Sequence, residues 1–281
     1  MKHYSFLFII GIIFFSCSKE DYEATIPAYI SIPSISLTTD YATEGSASSN
    51  ITDAWVFIND DLVGVYELPA KFPVLKEGNV TVKVFAGIRD NGIAASRVRY
   101  LLYEPHVESV QLVKSETVEI SANVNYSSEA KFSWLEDFEN ASSTFLYSTG
   151  RDTVIIKQEQ EVKEGQFSGR IFMEDDMDFF EATSLPFTSL PIGGTLYLEM
   201  DFKTNENVIV GVFLDGEQHA HITLNTTDVW RKTYLNLKEI VKAKPNAREV
   251  KIFLGLKEEN GTIFRTDNPD IYLDNIKLVH F

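Results

Sequence analysis

The chain has one cysteine, Cys17, among its 281 residues. A single cysteine excludes internal disulfides and any zinc site built from several cysteines, so the fold must depend on apolar burial and strand pairing. Hydrophobic residues make up 44% of the chain and aromatic residues 12%, which is enough apolar side chain to form cores. At this length we expect two ordinary domains.

Basic residues are scarce, with 25 Lys and Arg against 41 Asp and Glu, and the formal net charge is -16. Binding to a nucleic acid requires clustered cations that displace counterions from the phosphates, whereas here the basic residues are scattered singly among acidic ones. We therefore expect no nucleic-acid partner, and we interpret the acidity as a solvated surface.

Sequence motifs for catalysis are also lacking. The chain contains no Gly-x-Ser-x-Gly elbow, no His-Glu-x-x-His and no phosphate-binding loop. Pairs of carboxylates are frequent, as they must be in so acidic a chain, and do not identify a glycosidase. His219 and His221 alternate along one predicted strand, but no third metal ligand accompanies them. The sequence therefore predicts a protein that is not an enzyme.

Residues 1–16 have the pattern of an export signal. An apolar run from Phe6 to Phe15 is too short to cross a bilayer, which requires about 20 residues. Ser16 immediately before Cys17 resembles the lipobox of bacterial lipoproteins, although Phe14 stands where leucine is usual. The resemblance implies lipidation (palmitate among the acyl chains) at Cys17 and a membrane anchor. The alternative is an ordinary secretory signal with an incidental cysteine.

The segment SKEDYE, residues 18–23, is similar to the acidic tag that sends many Bacteroidota lipoproteins to the outer leaflet of the outer membrane. The resemblance implies an outer-membrane protein that faces the cell exterior. Acidic residues would also occur in any solvated tether, so the inner leaflet stays open. Thr153, in Asp-Thr-Val, resembles the O-glycosylation site of the same phylum and is a candidate for glycosylation.

Two all-β domains are expected after the anchor. Residues 17–50 are interpreted as a tether that runs into a first strand. In residues 51–126, short alternating apolar runs separated by Asn, Asp, Gly and Pro predict six or seven strands of a small immunoglobulin-like sandwich. The stretch WVFINDDLVGVYELPAKFPVLKEGNVTVKVFAG resembles PEGA-type modules, which implies a spacer or interaction unit.

Residues 127–281 repeat the alternating pattern over eight or nine runs, which suits a two-sheet jelly roll. The segments EDFE, EGQFSGRIFM, LYLEMDFKTN, VWRKTYLNL and DIYLDNIKLVHF follow one another in the order found in carbohydrate-binding-module jelly rolls, also called galactose-binding-like domains. The fold class predicted for the whole chain is therefore all-β, with two tandem antiparallel β-sandwiches. The short junction near residues 125–129 favours a fixed arrangement of the two.

The resemblance to these jelly rolls implies a structural calcium ion that ties the opening segment to the closing strand. Asp137 or Glu139 and Asp274 fall at the matching positions and carry the hard oxygen ligands that calcium prefers. The alternative is a solvated start of the domain and a polar pair on its final strand.

Sugar recognition would need aromatic rings that stack on pyranose faces. By residue type, the candidates are Trp134, Phe179, Phe180 and Trp230. Phe179 and Phe180 follow an acidic run over residues 174–178 and could instead fold back onto the core. Trp230 matches a position that usually packs inward.

The leading prediction is a non-catalytic surface lipoprotein whose jelly roll binds a glycan or glycoprotein. The alternative is an accessory subunit that docks on an outer-membrane secretion, motility or uptake complex. A glycan binder should carry aromatic side chains in a groove, whereas a docking subunit should show an apolar patch on the order of several hundred Å².

Overall fold

The computed structural model describes residues 26–174, 176–257 and 268–281. Strands contain 55% of the residues and helices 4%, in several antiparallel sheets, which confirms the all-β sandwich and jelly-roll prediction. The predicted signal peptide, Cys17 and the acidic tag lie outside the described residues. Within the described part of the chain, no helix has the length and apolarity needed to cross a bilayer.

The first sandwich contains eleven strands and one short helix. Its elements are β1 (Ala28–Ile32), β2 (Ile35–Thr38), α1 (Tyr41–Glu44), β3 (Asp53–Ile58), β4 (Asp61–Glu67), β5 (Ala70–Val74), β6 (Gly78–Arg89), β7 (Arg97–Arg99), β8 (Tyr103–Glu104), β9 (His106–Leu112), β10 (Thr117–Glu119) and β11 (Ala122–Tyr126).

One face of the first sandwich is a sheet in the order β4-β3-β6-β7, with β9 also paired to β6. The other face consists of two three-stranded sheets, β10-β1-β5 and β2-β11-β8. β1 and β2 are thus integral strands of the sandwich, although the sequence placed them at the end of a tether. The β3–β4 hairpin turns at Asn59 and Asp60, whose φ angles of 51° and 70° suit a type I′ turn.

The second sandwich contains the remaining eleven strands and a second short helix. Its elements are β12 (Lys131–Glu136), β13 (Leu146–Tyr147), β14 (Ile156–Gln158), β15 (Ser168–Phe172), β16 (Phe179–Thr183), β17 (Leu196–Thr204), β18 (Val208–Leu214), β19 (Glu217–Leu224), β20 (Thr227–Asn236), α2 (Lys238–Lys242), β21 (Val250–Lys257) and β22 (Asp270–His280).

Two sheets face each other in this jelly roll. The first has the order β14-β15-β22-β17-β20, with β12 also on β22, and the second has the order β13-β16-β21-β18-β19. Side chains such as Leu198, Met200, Val212 and Leu254 fill the space between them and are almost fully buried. The core accounts for one face of each sheet, so the opposite faces are available for other contacts.

The outward face of β17 and β22 is covered by the first sandwich. Tyr197, Glu199 and Asp201 alternate with the core residues of β17, so a free jelly roll would expose them to water. Instead Glu199 and Asp201 are completely buried. Tyr197 belongs to the hydrophobic cluster of the first sandwich, and so does Tyr234 of β20. The two sandwiches therefore share one continuous packed interface.

Glu199 is the centre of that interface. Its carboxylate accepts a hydrogen bond of 2.6 Å from the Tyr100 hydroxyl and two of 2.9 Å from the Tyr126 hydroxyl. Burial and the nearby carboxylate raise the pKa of both tyrosines well above the usual value, which keeps the hydroxyls protonated as donors. The ammonium of Lys232 lies 3.7 Å from Glu199 and 3.8 Å from Asp201.

A second buried cation, Lys277 of β22, extends the network into the segment before β3. Its ammonium donates to the backbone carbonyl of Ser46 at 2.5 Å and to the Tyr126 hydroxyl at 3.3 Å. Burial lowers its pKa to about 8. On the other side of the segment, Ser48 donates to Asp201 at 2.9 Å. Residues 46–50, which precede β3 of the first sandwich, thus bond to the jelly roll through Asp201 and Lys277.

Replacing Glu199 with alanine should strongly destabilise the protein, because two buried hydroxyls lose their acceptor and the buried Lys232 ammonium loses one of its two nearby carboxylates. Removing one partner of a buried ion pair costs about 3–5 kcal/mol, and we expect a decrease of that order in the free energy of unfolding from urea titration. Glu239→Ala, at an exposed position of α2, is the matched control and should change it by less than about 0.5 kcal/mol. Equal, small effects of both variants would contradict a structural role for the network.

Candidate functional site

The outer face of the sheet β13-β16-β21-β18-β19 carries an open groove with a volume of about 530 Å³. This sheet lies on the side of the jelly roll opposite to the first sandwich, so the first sandwich does not cover its outer face among the residues that the structure describes. The residues that line the groove are Phe179, Phe180, Glu181, Ile209, Phe213, Gln218, Ala220, Phe253, Gly255 and Leu256.

Strand alternation determines which side chains face the groove. On β18, Val208, Val210 and Val212 point into the core, so Ile209 and Phe213 point outward. On β21, the neighbouring strand, Phe253 and Gly255 take the outward positions. The groove therefore has an apolar floor of aromatic, aliphatic and glycine residues.

The aromatic rings in the groove are held in place by packing. Phe213 and Phe253 have ring centroids 5.4 Å apart at 60°. The Phe253 ring lies over Gly211, since a Cβ on that glycine would be 2.5 Å from Phe253 Cε1. This glycine lets Phe253 lie flat against the sheet, where it is 2% exposed. Phe213 and Phe179 are half-buried and offer ring surface to the groove.

A pair of polar side chains provides the hydrogen-bonding groups of the groove. Gln218 Nε2 donates to Glu181 Oε2 at 2.7 Å, and the Ser148 hydroxyl donates to Glu181 Oε1. Glu181 and Gln218 are on β16 and β19, so their hydrogen bond joins two non-adjacent strands of the sheet. A ligand hydroxyl can donate to the carboxylate oxygens of Glu181. It can also accept from the amide nitrogen of Gln218 or donate to its amide oxygen.

Two of the predicted aromatic candidates are buried, which is a correction to the sequence-based prediction. Trp134 is 7% exposed, packs against Phe145, and donates from Nε1 to the Thr144 hydroxyl at 2.8 Å. Phe180 is fully buried, because strand alternation turns it into the core beside its outward neighbour Phe179. Neither offers a ring face to a ligand.

The other two aromatic candidates lie on different sheets. Phe179 lines the groove. Trp230 is half-buried on β20 of the opposite sheet, with its ring centroid 6.4 Å from that of Tyr272. The structure therefore brings Phe179 together with Phe213 and Phe253, which the sequence did not single out, and not with Trp230.

The predicted calcium ligands bind backbone N–H groups of the loop before β15. Glu139 Oε1 accepts from Gln166 and Phe167 at 2.8 and 2.9 Å, and Asp274 Oδ2 accepts from Lys163 and Glu164 at 3.1 and 3.2 Å. Both carboxylates thus stabilise one loop from opposite chain ends of the jelly roll. Burial raises the pKa of Asp274 to about 7, while its N–H donors act in the opposite direction.

Asp137 has other donors, because its Oδ2 accepts from the Tyr41 hydroxyl at 2.9 Å and its Oδ1 accepts from the backbone N–H of Glu139 at 3.0 Å. Among the described residues, no group of three or more His, Cys, Asp or Glu side chains is placed to hold a metal ion. Both oxygens of Asp137 and Asp274 and one oxygen of Glu139 accept hydrogen bonds from N–H or O–H donors. Calcium at these positions stays a prediction.

The remaining sequence candidates have local roles. Thr153 is half-buried and follows Asp152, whose carboxylate accepts from the backbone N–H groups of Asp178 and Phe179. Those two hydrogen bonds lower the pKa of Asp152. Glycosylation of Thr153 stays a prediction. His221 Nε2 lies 3.2 Å from Asn91 Oδ1 in the first sandwich, so this histidine belongs to the contact between the domains.

No protein-family model and no curated protein matches the chain. One similar solved structure is described as the structural basis for the promiscuous specificity of carbohydrate-binding modules from the β-sandwich superfamily. It is 15% identical to this chain, and the match covers 81% of this chain and 85% of that one, with a TM-score of 0.35. The CBM22-2 xylan-binding domain of Paenibacillus barcinonensis Xyn10C is 14% identical, with 53% and 99% coverage and a TM-score of 0.39.

A third solved structure, the enzymatically active domain of tailspike protein 4 of bacteriophage CBA120, is 16% identical and has a TM-score of 0.37. The match covers 50% of this chain and spans 20% of the tailspike domain. The other two neighbours are carbohydrate-binding modules with β-sandwich folds. All three TM-scores are below 0.5.

Two glycines, Gly211 beneath the Phe253 ring and Gly255 in the lining of the groove, should respond differently to alanine. In Gly211→Ala the new methyl would overlap with the His219 carbonyl oxygen and the Phe253 ring, so we expect a loss of about 1–3 kcal/mol in the free energy of unfolding. In Gly255→Ala the nearest atom is 3.6 Å away, which is an ordinary contact, and the loss should stay below about 1 kcal/mol. Urea titration of both variants measures the difference, and a larger loss for Gly255→Ala would contradict this packing.

Proposed function

We propose that this chain binds a glycan in the groove on the outer face of the sheet β13-β16-β21-β18-β19. The observation that carries the proposal is the pairing of half-buried aromatic rings with a carboxylate and an amide in one open groove of about 530 Å³. That volume lies within the range of sites for small organic ligands, roughly 300–1,000 Å³.

The chemistry of a saccharide matches these groups. A pyranose ring has an apolar C–H face, which can stack on Phe213 or Phe179, and a rim of hydroxyls, which can bond to Glu181 and Gln218. Gly255 adds no side chain to the floor of the groove beside the Phe253 ring, which would be 3.7 Å from a Cβ at this position. A linear chain of sugars can therefore lie along the groove with its ring faces on the phenylalanines.

The groove supports binding without hydrolysis. Glycosidases use two carboxyl groups separated by about 5–9.5 Å across the scissile bond. Glu181 is the one carboxylate among the described residues that line this groove. Its two oxygens already accept hydrogen bonds from Ser148 and Gln218. We therefore assign Glu181 a role in orienting ligand hydroxyls.

The proposed location is the surface of a bacterial outer membrane, with the chain anchored through a lipid on Cys17. The first strand begins at Ala28, and eleven residue steps of extended chain span at most about 40 Å. A lipid on Cys17 would therefore hold the first sandwich close to the membrane. The groove, on the side of the jelly roll away from the first sandwich, would stay open to large glycans.

Docking on another outer-membrane protein is a second candidate function, favoured by one feature of the first sandwich. The outer face of its sheet β4-β3-β6 carries Trp55, Phe57 and Phe85, all half-buried, beside the exposed side chains of Leu62 and Val65. Such a face suits a protein contact better than a sugar, because no hydrogen-bonded carboxylate–amide pair accompanies it in the described part of the chain. Binding of a membrane partner that is lost in Phe57→Asp would support this second function.

The leading proposal is tested by binding residues 26–281 to an array of plant, microbial and host glycans. The measurement is made once with calcium and once with EDTA. Phe213→Ala should weaken binding roughly 10- to 100-fold, because a ring that the ligand would cover is lost. Phe172→Ala, a half-buried phenylalanine on the opposite sheet, is the matched control and should bind normally. No bound glycan under either condition, or equal losses in both variants, would refute the proposal.

The anchor is tested by replacing Cys17 with serine in the full chain expressed in a Bacteroidota host. The unaltered chain should incorporate labelled palmitate and sediment with outer membranes, because two or three acyl chains give stable anchoring. Cys17→Ser should lose the label and leave the membrane fraction. Sedimentation of the variant with membranes would argue against lipid as the anchor, and surface proteolysis of intact cells distinguishes the two leaflets.

A further inference from the structure

A second cavity lies at the junction of the two sandwiches, with a volume of about 140 Å³. The first sandwich contributes Asn50, Arg89 and Asn91 to its lining, and the jelly roll contributes Thr223, Asn225 and Arg231. The groove of the proposed function is on the other sheet of the jelly roll and shares no lining residue with this cavity. The cavity depends on the docking of the two domains, because each provides part of its wall.

The lining of this junction cavity is basic, which is unusual in so acidic a chain. The chain has 41 Asp and Glu against 25 Lys and Arg, yet no carboxylate is among the described residues that line the cavity. Three basic residues contribute to it: Arg89, Arg231 and Lys232. The Lys232 ammonium faces Glu199 and Asp201 in the interface, so the two arginines supply the free positive charge.

Both arginines have guanidinium N–H groups that no carboxylate holds at hydrogen-bond distance among the described residues. Arg231 is exposed, donates from Nε to the Thr227 hydroxyl at 3.1 Å, and has no carboxylate at ion-pair distance in the part of the chain that the structure describes. Arg89 Nη2 is 3.7 Å from Glu67, but Arg97 holds the same oxygen more closely, at 3.0 Å. Arg89 Nε is buried and has no hydrogen-bond partner among the described residues.

Two guanidinium groups that line one cavity favour an anion there, because among the described residues neither has a carboxylate within hydrogen-bond distance. The guanidinium group presents parallel N–H donors that match the oxygens of a carboxylate or a sulfate. The side-chain amides and hydroxyls of Asn50, Asn225 and Thr223 are neutral groups that can bond to the same oxygens.

The junction cavity adjoins a larger one, of about 740 Å³, with which it shares the lining residues Arg231 and Thr226. Two carboxylates of the larger cavity are already paired, Glu161 with Lys203 at 2.9 Å and Asp270 with Arg170 at 2.7 Å. A ligand whose acidic group binds between the arginines can therefore extend outward past two carboxylates whose charge a neighbouring cation already balances. Asp228 is exposed at the edge of this outer space.

We propose that the junction cavity binds an oxyanion group of a ligand, the carboxylate of a uronic acid or the sulfate of a sulfated sugar, between Arg89 and Arg231. This site is separate from the groove, and its existence does not depend on the groove binding a glycan. Because each domain supplies one of the two arginines, the acidic ligand can be recognised only when the two domains are docked.

NMR of residues 26–281 with ¹⁵N-labelled arginine tests the site through the Nε–Hε signals. Sodium sulfate, sodium glucuronate and glucose are titrated at constant ionic strength kept with sodium chloride. We expect saturable shifts of the Arg89 and Arg231 signals with sulfate, with glucuronate or with both, and none with glucose. The anion that gives saturable shifts shows whether the site prefers a sulfate or a carboxylate. Linear shifts shared by all arginines would overturn the proposal.

Arg231→Gln should weaken this binding at least tenfold, because it removes one of the two guanidinium groups and is exposed enough to leave the fold intact. Arg89→Gln should have a similar effect. Arg248→Gln, at an exposed position before β21, is the matched control and should leave the affinity unchanged. Equal affinity in all three variants would show that the anion binds elsewhere and would also overturn the proposal.

Discussion

The buried carboxylate of Glu199 is the constraint on which the arrangement of this molecule depends. It lies on the outward face of a jelly-roll strand, where water would normally solvate it, and in this protein the hydroxyls of Tyr100 and Tyr126 replace the water. A buried charge is tolerated only when it is paired and hydrogen-bonded, so the first sandwich must sit where these tyrosines reach it. A shift of one residue along β17 would present Leu198 or Met200 instead, which makes the docked register specific.

Docking on one sheet has consequences for both proposed sites. The covered sheet carries the interface, so the opposite sheet is the one that keeps an open face, and the aromatic groove is there. At the edge of the covered sheet, the two domains leave a basic cavity that neither has alone. If the chain is anchored through Cys17, the membrane lies near the first sandwich and the groove lies on the distal side. One interface thus determines which surfaces are available to a ligand.

The sequence predicted the fold better than the site, for a physical reason. Period-two apolar runs and turn residues such as Asn59-Asp60 and Asp215-Gly216 are local signals, and the structure has hairpins at both. The set of side chains that meet in the groove depends instead on which strands are neighbours in the sheet. Phe213 and Phe253 are forty residues apart in sequence, and only the pairing of β18 with β21 brings them together. Trp134 looked like a binding residue by type, but burial is decided by the sheet that packs above it. The polar interface could not be predicted either, because the alternating pattern along β17 places Glu199 where a solvent-exposed residue is expected.

Calorimetry of residues 26–281 tests most directly whether the two sandwiches form one body. If the Glu199 network couples them, heating should give a single transition whose van't Hoff enthalpy equals the calorimetric enthalpy, because neither sandwich can unfold without exposing buried charge. Two resolved transitions, or a calorimetric enthalpy about twice the van't Hoff value, would show two independent domains and would contradict the account.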